Sequence, residues 1–167
     1  LRDSDPSNPA YFADYSIAYA ASRNSLPPDF LEIARKLDPD NGWFPSFAAG
    51  IIAKNSVRKG NQTKLEKDQR QPPHWDLIDQ SSMEQALALI YQAASLPRFD
   101  SYQPTLRSRR LALLPANKDV FSTMMSVSYT AGIPSSPGFL AVGDVVAAKA
   151  AQLEEQKKPE DLRKLLN

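Results

Sequence analysis

The segment "LDPDNGWFPSFAAG", residues 37–50, decides the fold. Leu37 closes one apolar run, and Trp43 and Phe44 open the next. Between them, Pro39 lacks the N–H that a continuing helix needs. Asp38 and Asp40 are turn formers, and Asn41 or Gly42 is suited to cap a new helix. Pro45 falls in the first turn of that helix, where a missing N–H is harmless. The stretch therefore predicts a tight joint between two helices, a helical hairpin.

Outward from the joint, apolar residues recur at helical spacing, and the strict alternation of strands is scarce. Residues 27–37 place Phe30, Ile33, Ala34 and Leu37 on one stripe, and 43–55 place Phe44, Phe47, Ala48, Ile51 and Ile52. Residues 9–23 give Tyr11, Tyr15, Ala18, Tyr19 and Ser22, with Asn8 as cap and Pro9 at the first helical position. Residues 82–95 give Met83, Ala86, Leu87, Ile90 and Ala94, with Ser81 and Glu84 as a capping box. Asp100 and Gln103 repeat that pattern before a helix with Tyr102, Leu106 and Leu113. Further helices are expected over 118–131 (Val120, Phe121, Met124, Met125), over 138–157 (Phe139, Val142, Val145, Val146, Leu153), and after Pro159 (Leu162, Leu165, Leu166). That makes about eight helices with short breaks, and short breaks force antiparallel neighbours. Most of the prolines read as punctuation at helix starts, as at 9, 27, 137 and 159. One stretch stands apart: 56–80, "SVRKGNQTKLEKDQRQPPHWDLIDQ", is mostly polar and reads as a long inserted connection. Within it "HWDLID" alternates weakly and suits a short extended piece.

The 167 residues suit one domain, 1–167, which buries enough surface for a core without staples. Cysteine is absent, which excludes disulfides, zinc ribbons, iron–sulfur clusters and thiol nucleophiles. A single histidine excludes a two-histidine metal site within one chain. A net charge of +1 predicts no strong nucleic-acid or acidic-lipid partner for the whole body. No apolar run reaches the ~18–20 residues that span a membrane. The first residue is Leu1, so removal of an upstream segment is expected, by processing or by choice of boundaries. Such a start is compatible with a lost signal or anchor and an extracytoplasmic home, and the compartment stays open.

A second joint resembles the first. "FLEIARKLDPDNGWFPSF" aligns with "ALIYQAASLPRFDSYQPTL", so that Ala34 matches Ala93, Leu37 matches Leu96, Trp43 roughly matches Tyr102 and Pro45 matches Pro104. Leu37 and Leu96 stand 59 residues apart; less the 25 residues of 56–80, the spacing is 34. That is the period of a tetratricopeptide repeat. The stretch resembles the tetratricopeptide-like family in its "A-x-x-L-D-P-D-N" ending before an aromatic-led helix, and in the small residues Ala48, Ala49 and Gly50 at mid-helix. The resemblance covers 27–53 well and 82–114 in part, and the Trp-x-x-Leu-Gly-x-x-Tyr line of the consensus is missing. "LPRFDSY" and its surroundings resemble large bacterial proteins with degenerate repeats of this type. The resemblance implies an all-α, right-handed stack of antiparallel helix pairs with one long polar insertion, and the last helix either folds back on 138–157 or meets a continuing array. It further implies a non-catalytic scaffold that binds a protein or peptide in a concave groove between 9–23, 43–55 and 101–114.

The candidate partner-binding residues are Tyr11, Tyr15, Tyr19, Trp43, Phe47 and Tyr102, whose rings offer flat area. Arg107 and Arg110, one helical turn apart, suit a carboxylate. The reading of both aromatic stripes as core is preferred over a groove, since helical spacing is what a core face shows. His74 and Asp76 offer an acid–base pair for an enzyme of unrecognised type. Against it, no second histidine or nucleophile elbow accompanies them, so an ordinary loop histidine is preferred and no catalytic residue is assigned. Lys54, Arg58, Lys59, Lys64, Lys67 and Arg70 make a basic patch. No aromatic residue is interleaved for base stacking, so a solvated loop is preferred over a nucleic-acid site. Asp38, Asp40 and Asn41 begin like a calcium loop, but Trp43 and Ala49 stand where its Gly and Glu belong. All glycines are isolated, so no phosphate loop and no cofactor is expected.

Overall fold

The computed structural model describes residues 5–60, 75–112, 119, 121–122 and 138–166. Among them are seven helices and one two-stranded ribbon. In chain order they are α1 (Pro9–Arg23), α2 (Phe30–Leu37), α3 (Trp43–Ser56), β1 (Val57–Lys59), β2 (Trp75–Leu77), α4 (Gln80–Ser95), α5 (Gln103–Ala112), α6 (Phe139–Glu155) and α7 (Pro159–Leu166). The chain is thus mostly helical, as the 3.6-residue periodicity predicts. The helix expected over 118–131 falls almost wholly outside the described residues. The chain divides into two compact units, Leu1–Phe44 with Leu96–Pro137, and Pro45–Ser95 with Gly138–Asn167.

In the first unit, α1 begins as its sequence dictates. Asn8 Oδ1 accepts from Ala10 N (3.0 Å) and Pro9 takes the first helical position. The helix ends at Asn24, which adopts a left-handed φ of 50° and donates its N–H to Ala20 O (2.9 Å). α1 packs on α2 and on α5. Its inward face is Ala10, Phe12, Ala13, Ser16, Ile17 and Ala20. The tyrosine stripe flanks that face, and Ala18 and Ser22 are exposed, which corrects the expected phase of this helix. The core is aromatic. Phe12 stacks on Phe30 at 5.5 Å, and Phe44 lies 6.0 Å from both. Trp43 meets Phe44 edge-on at 5.0 Å, and Phe44 lies 6.4 Å from Tyr102.

The joints 38–42 and 98–102 lie side by side in this unit. Asn41 and Arg98 form a parallel bridge. Gly42 N donates to Arg98 O (2.7 Å), and Arg98 N to Asp40 O (3.2 Å). Asn41, 1% exposed, uses all four of its hydrogen-bonding positions. Its Oδ1 accepts from Trp43 N (3.1 Å) and Asp100 N (2.9 Å), and its Nδ2 donates to Asp38 Oδ2 (2.9 Å) and Asp100 O (2.8 Å). The buried Asp38 carboxylate also accepts from the Arg98 guanidinium and the Tyr102 hydroxyl. Burial, and then the neighbouring Asp38 carboxylate, push the Tyr102 hydroxyl above its ordinary pKa.

In the second unit, α6 is the element on which β1, β2, α4 and α7 pack. The terminal helix α7 therefore folds back on α6, the first of the two arrangements its apolar stripe allows. The core holds Phe47, Ala48, Ala49, Ile51, Ala53 and Val57 with Met83, Ala86, Leu87, Leu89, Ala93, Val145 and Leu153. In α4 the stripe drifts, so Leu89 and Ala93 are buried where Ile90 and Ala94 were expected. The cap also moves: Asp79, not Ser81, accepts from Ser81 N (3.0 Å) and Ser82 Oγ. At the start of α6, Gly138 sits at φ +118° against Gly50 of α3. A Cβ on Gly138 would fall 2.5 Å from the Gly50 carbonyl group, closer than real side chains come, so backbone meets backbone there.

Replacing Asn41 by Ala leaves two N–H groups, a carbonyl and a carboxylate short of partners. The expected loss is about 3–5 kcal/mol of unfolding free energy, read from urea denaturation. Asp40→Ala, at an exposed side chain of the same turn, stays within about 0.5 kcal/mol of the parent.

Candidate functional site

The expected insertion 56–80 closes at its base into the β1–β2 ribbon. Val57 pairs with Leu77, Arg58 with Asp76 and Lys59 with Trp75, antiparallel. Ile78 N and Asp79 N both donate to Ser56 O, at 2.9 and 3.1 Å, and tie the return of the chain to the end of α3. Strand geometry sends alternate side chains to one face. Trp75 and Leu77 therefore share a face, while Asp76 lies opposite Arg58, charge against charge.

Trp75 and Leu77 form one wall of a pocket of about 210 Å³. Met83 of α4, itself buried, forms another. Ala148, Ala151, Gln152 and Glu155 of α6 complete it, and their spacing of three, four and seven residues is that of a single helix face. The two alanines leave the room that larger side chains would fill. The indole is fixed at its N–H edge, where Trp75 Nε1 donates to Asp144 Oδ1 at 3.2 Å, one turn before Ala148. Gln152 is held from both sides: its Oε1 accepts from Lys149 Nζ (3.1 Å) and its Nε2 donates to Gln80 Oε1 (3.5 Å). The carboxylate of Glu155 stands at the exposed end of the same face, and Leu77 is 46% exposed at the mouth. An aromatic wall, an aliphatic floor and a few fixed polar groups are the ingredients of a small recognition pocket. Among the described residues no group of His, Cys, Asp and Glu comes together as metal ligands do.

The candidates from the sequence fall elsewhere. Trp43 is 0% exposed and Phe47 2%. Both are core rather than groove, because every residue from Asn41 to Ile51 is buried and the start of α3 has no solvent face. Tyr11, Tyr15 and Tyr19 are half-buried beside the inward face of α1, with the rings of Tyr15 and Tyr19 5.9 Å apart. Tyr102 is half-buried, its hydroxyl engaged with Asp38 in the joint. Arg107 is half-buried on α5, and the side chain of Arg110 lies outside the described residues. The structure places the tyrosines, Tyr102 and Arg107 in the first unit and none of them at the pocket. His74, Lys64, Lys67 and Arg70 lie outside the described residues, and Lys54, Arg58 and Lys59 are exposed. The pocket residues Trp75 and Leu77 were signalled only by the weak alternation of "HWDLID".

Compared with known families, curated proteins and solved structures, the chain matches none. No helix among the described residues is long and apolar enough to cross a membrane.

The two tryptophans report separately on core and pocket. Trp43 is sealed and Trp75 is half-buried at the pocket wall. Acrylamide quenching of fluorescence should resolve two populations, and Trp75→Phe should remove the accessible one while leaving Trp43 emission in place.

Proposed function

We propose that the chain is a non-catalytic module that binds a peptide or protein partner, built as a degenerate tetratricopeptide-like stack of antiparallel helix pairs. Support for the repeat comes from the joints. The two segments that align in sequence, 38–42 and 98–102, are hydrogen-bonded side by side. Stacked repeats bring equivalent turns together in this way. The close approach of Gly50 to Gly138 fits the use of small mid-helix residues in such stacks.

The observation that carries the binding role is the pocket lined by Trp75, Leu77, Met83, Ala148 and Ala151. An indole gives contact area at low cost in ordering, and one whose N–H is already satisfied is preorganised; Met83 is already fixed by burial. A partner side chain entering this pocket would bury apolar surface on three sides.

Selection from a random peptide library, followed by titration, tests the reading. Selected peptides should saturate and shift the Trp75 indole resonance. Ala151→Trp, which puts a large side chain into the pocket, should weaken them by about tenfold or more. Absence of saturable binding by any selected peptide contradicts the proposal.

A further inference from the structure

We infer that the pocket beside Trp75 takes a basic side chain on an alkyl stem, a lysine of the partner peptide. The inference rests on the reading of the chain as a peptide-binding module and adds the chemistry of the occupant. Three features of the pocket point to it. The first is the charge of the lining. Glu155 is the one ionic side chain among the lining residues, and among the described residues its carboxylate has no partner. A neutral occupant would leave that carboxylate without a counter-charge, a cationic head would supply one, and an anionic one would be repelled.

The second feature is the indole. Its N–H is taken by Asp144, and Trp75 lines the pocket with that donor already engaged. The negative face of an aromatic ring attracts an ammonium, tryptophan most of all. Asp144 places a second carboxylate along the same helix face as Glu155.

The third is the division of the lining along α6. Ala148 and Ala151 offer apolar surface for a methylene stem, and Glu155 comes one turn later, where a charged head would emerge. Gln152 Oε1 already accepts from Lys149, which leaves Glu155 as the lining carboxylate for the head. Lys149 is a cation on the same helix, and one of its N–H groups is directed to Gln152 Oε1.

The test titrates the intact protein with three probes of equal length, n-hexylammonium, n-hexanol and hexanoate, following the Trp75 indole resonance. An exposed cation–ring contact together with one exposed ion pair predicts that n-hexylammonium binds about three- to tenfold more tightly than n-hexanol. Hexanoate should bind more weakly than either. Glu155→Gln, an exposed substitution, should erase most of the preference while n-hexanol affinity and the unfolding curve stay unchanged. Equal or tighter binding of n-hexanol to the parent protein, a preference that survives E155Q, or no shift with any probe each overturn the inference. Library peptides separate this proposal from the one beneath it. Peptides that bind the pocket without enrichment of lysine or arginine overturn the basic occupant and leave the binding module standing. A probe preference with no peptide bound keeps the pocket chemistry and removes the module.

Discussion

The amide of Asn41 holds together two turns that are 59 residues apart in the chain. Four hydrogen bonds leave it, two buried within its own turn and two to the Asp100 backbone of the second turn. A buried polar group costs little when fully paired and a good deal when not, so the network is stable only as a whole. Asp38 extends it to Arg98 and Tyr102, which both come from the second turn. The side chain of Asp38 is 7% exposed while that of Arg98 is 46% exposed. Only one member of that ion pair is therefore fully stripped of water, and the other still has solvent to complete its shell. With the turns paired, Trp43 and Phe44 are carried straight into the aromatic cluster with Phe12 and Phe30.

A parallel constraint orders the second unit. Gly138 can reach its positive φ and lie against Gly50 because neither has a side chain. That contact starts α6, and α6 supplies the face on which the ribbon, α4 and α7 pack. Its alanines at 148 and 151 are too small to fill the space that Trp75 and Met83 frame. The pocket is thus a product of residue size on one helix face combined with a two-residue alternation on a strand.

Much of the helical layout was legible because helix breaks are written locally. Pro39, Pro9, Pro159 and Asn8 act on residues within one turn of themselves, and the structure puts helix ends at those positions. The two joints that lie side by side are also the two whose sequences align. The phase of α1 was not legible, because Phe12, Ala13 and Ile17 form one apolar stripe and the tyrosines a neighbouring one. Periodicity gives the same signal for both, and only packing against α2 and α5 selects the first. Trp43 and Phe47 lie in the core, the reading the sequence favoured over a groove, because α3 is apolar all round at its start. The roles of Asp38 and Arg98 were invisible, since each acts on a partner about 60 positions away. Half of the pocket comes from α6, and nothing in the sequence ties 148–155 to 75–77.

The account depends on the two turns remaining bound to each other in solution. Native-state hydrogen exchange at Gly42, Arg98 and Asp100 measures this directly, because the acceptors of those amides, Arg98 O, Asp40 O and Asn41 Oδ1, each lie on the opposite turn. If the turns are held together, these three amides exchange only through the large-scale opening that also exposes the buried residues of α1. Exchange at the rate of a freely solvated turn, while α1 remains protected, would show that the joints come apart alone and that the fold does not rest on them.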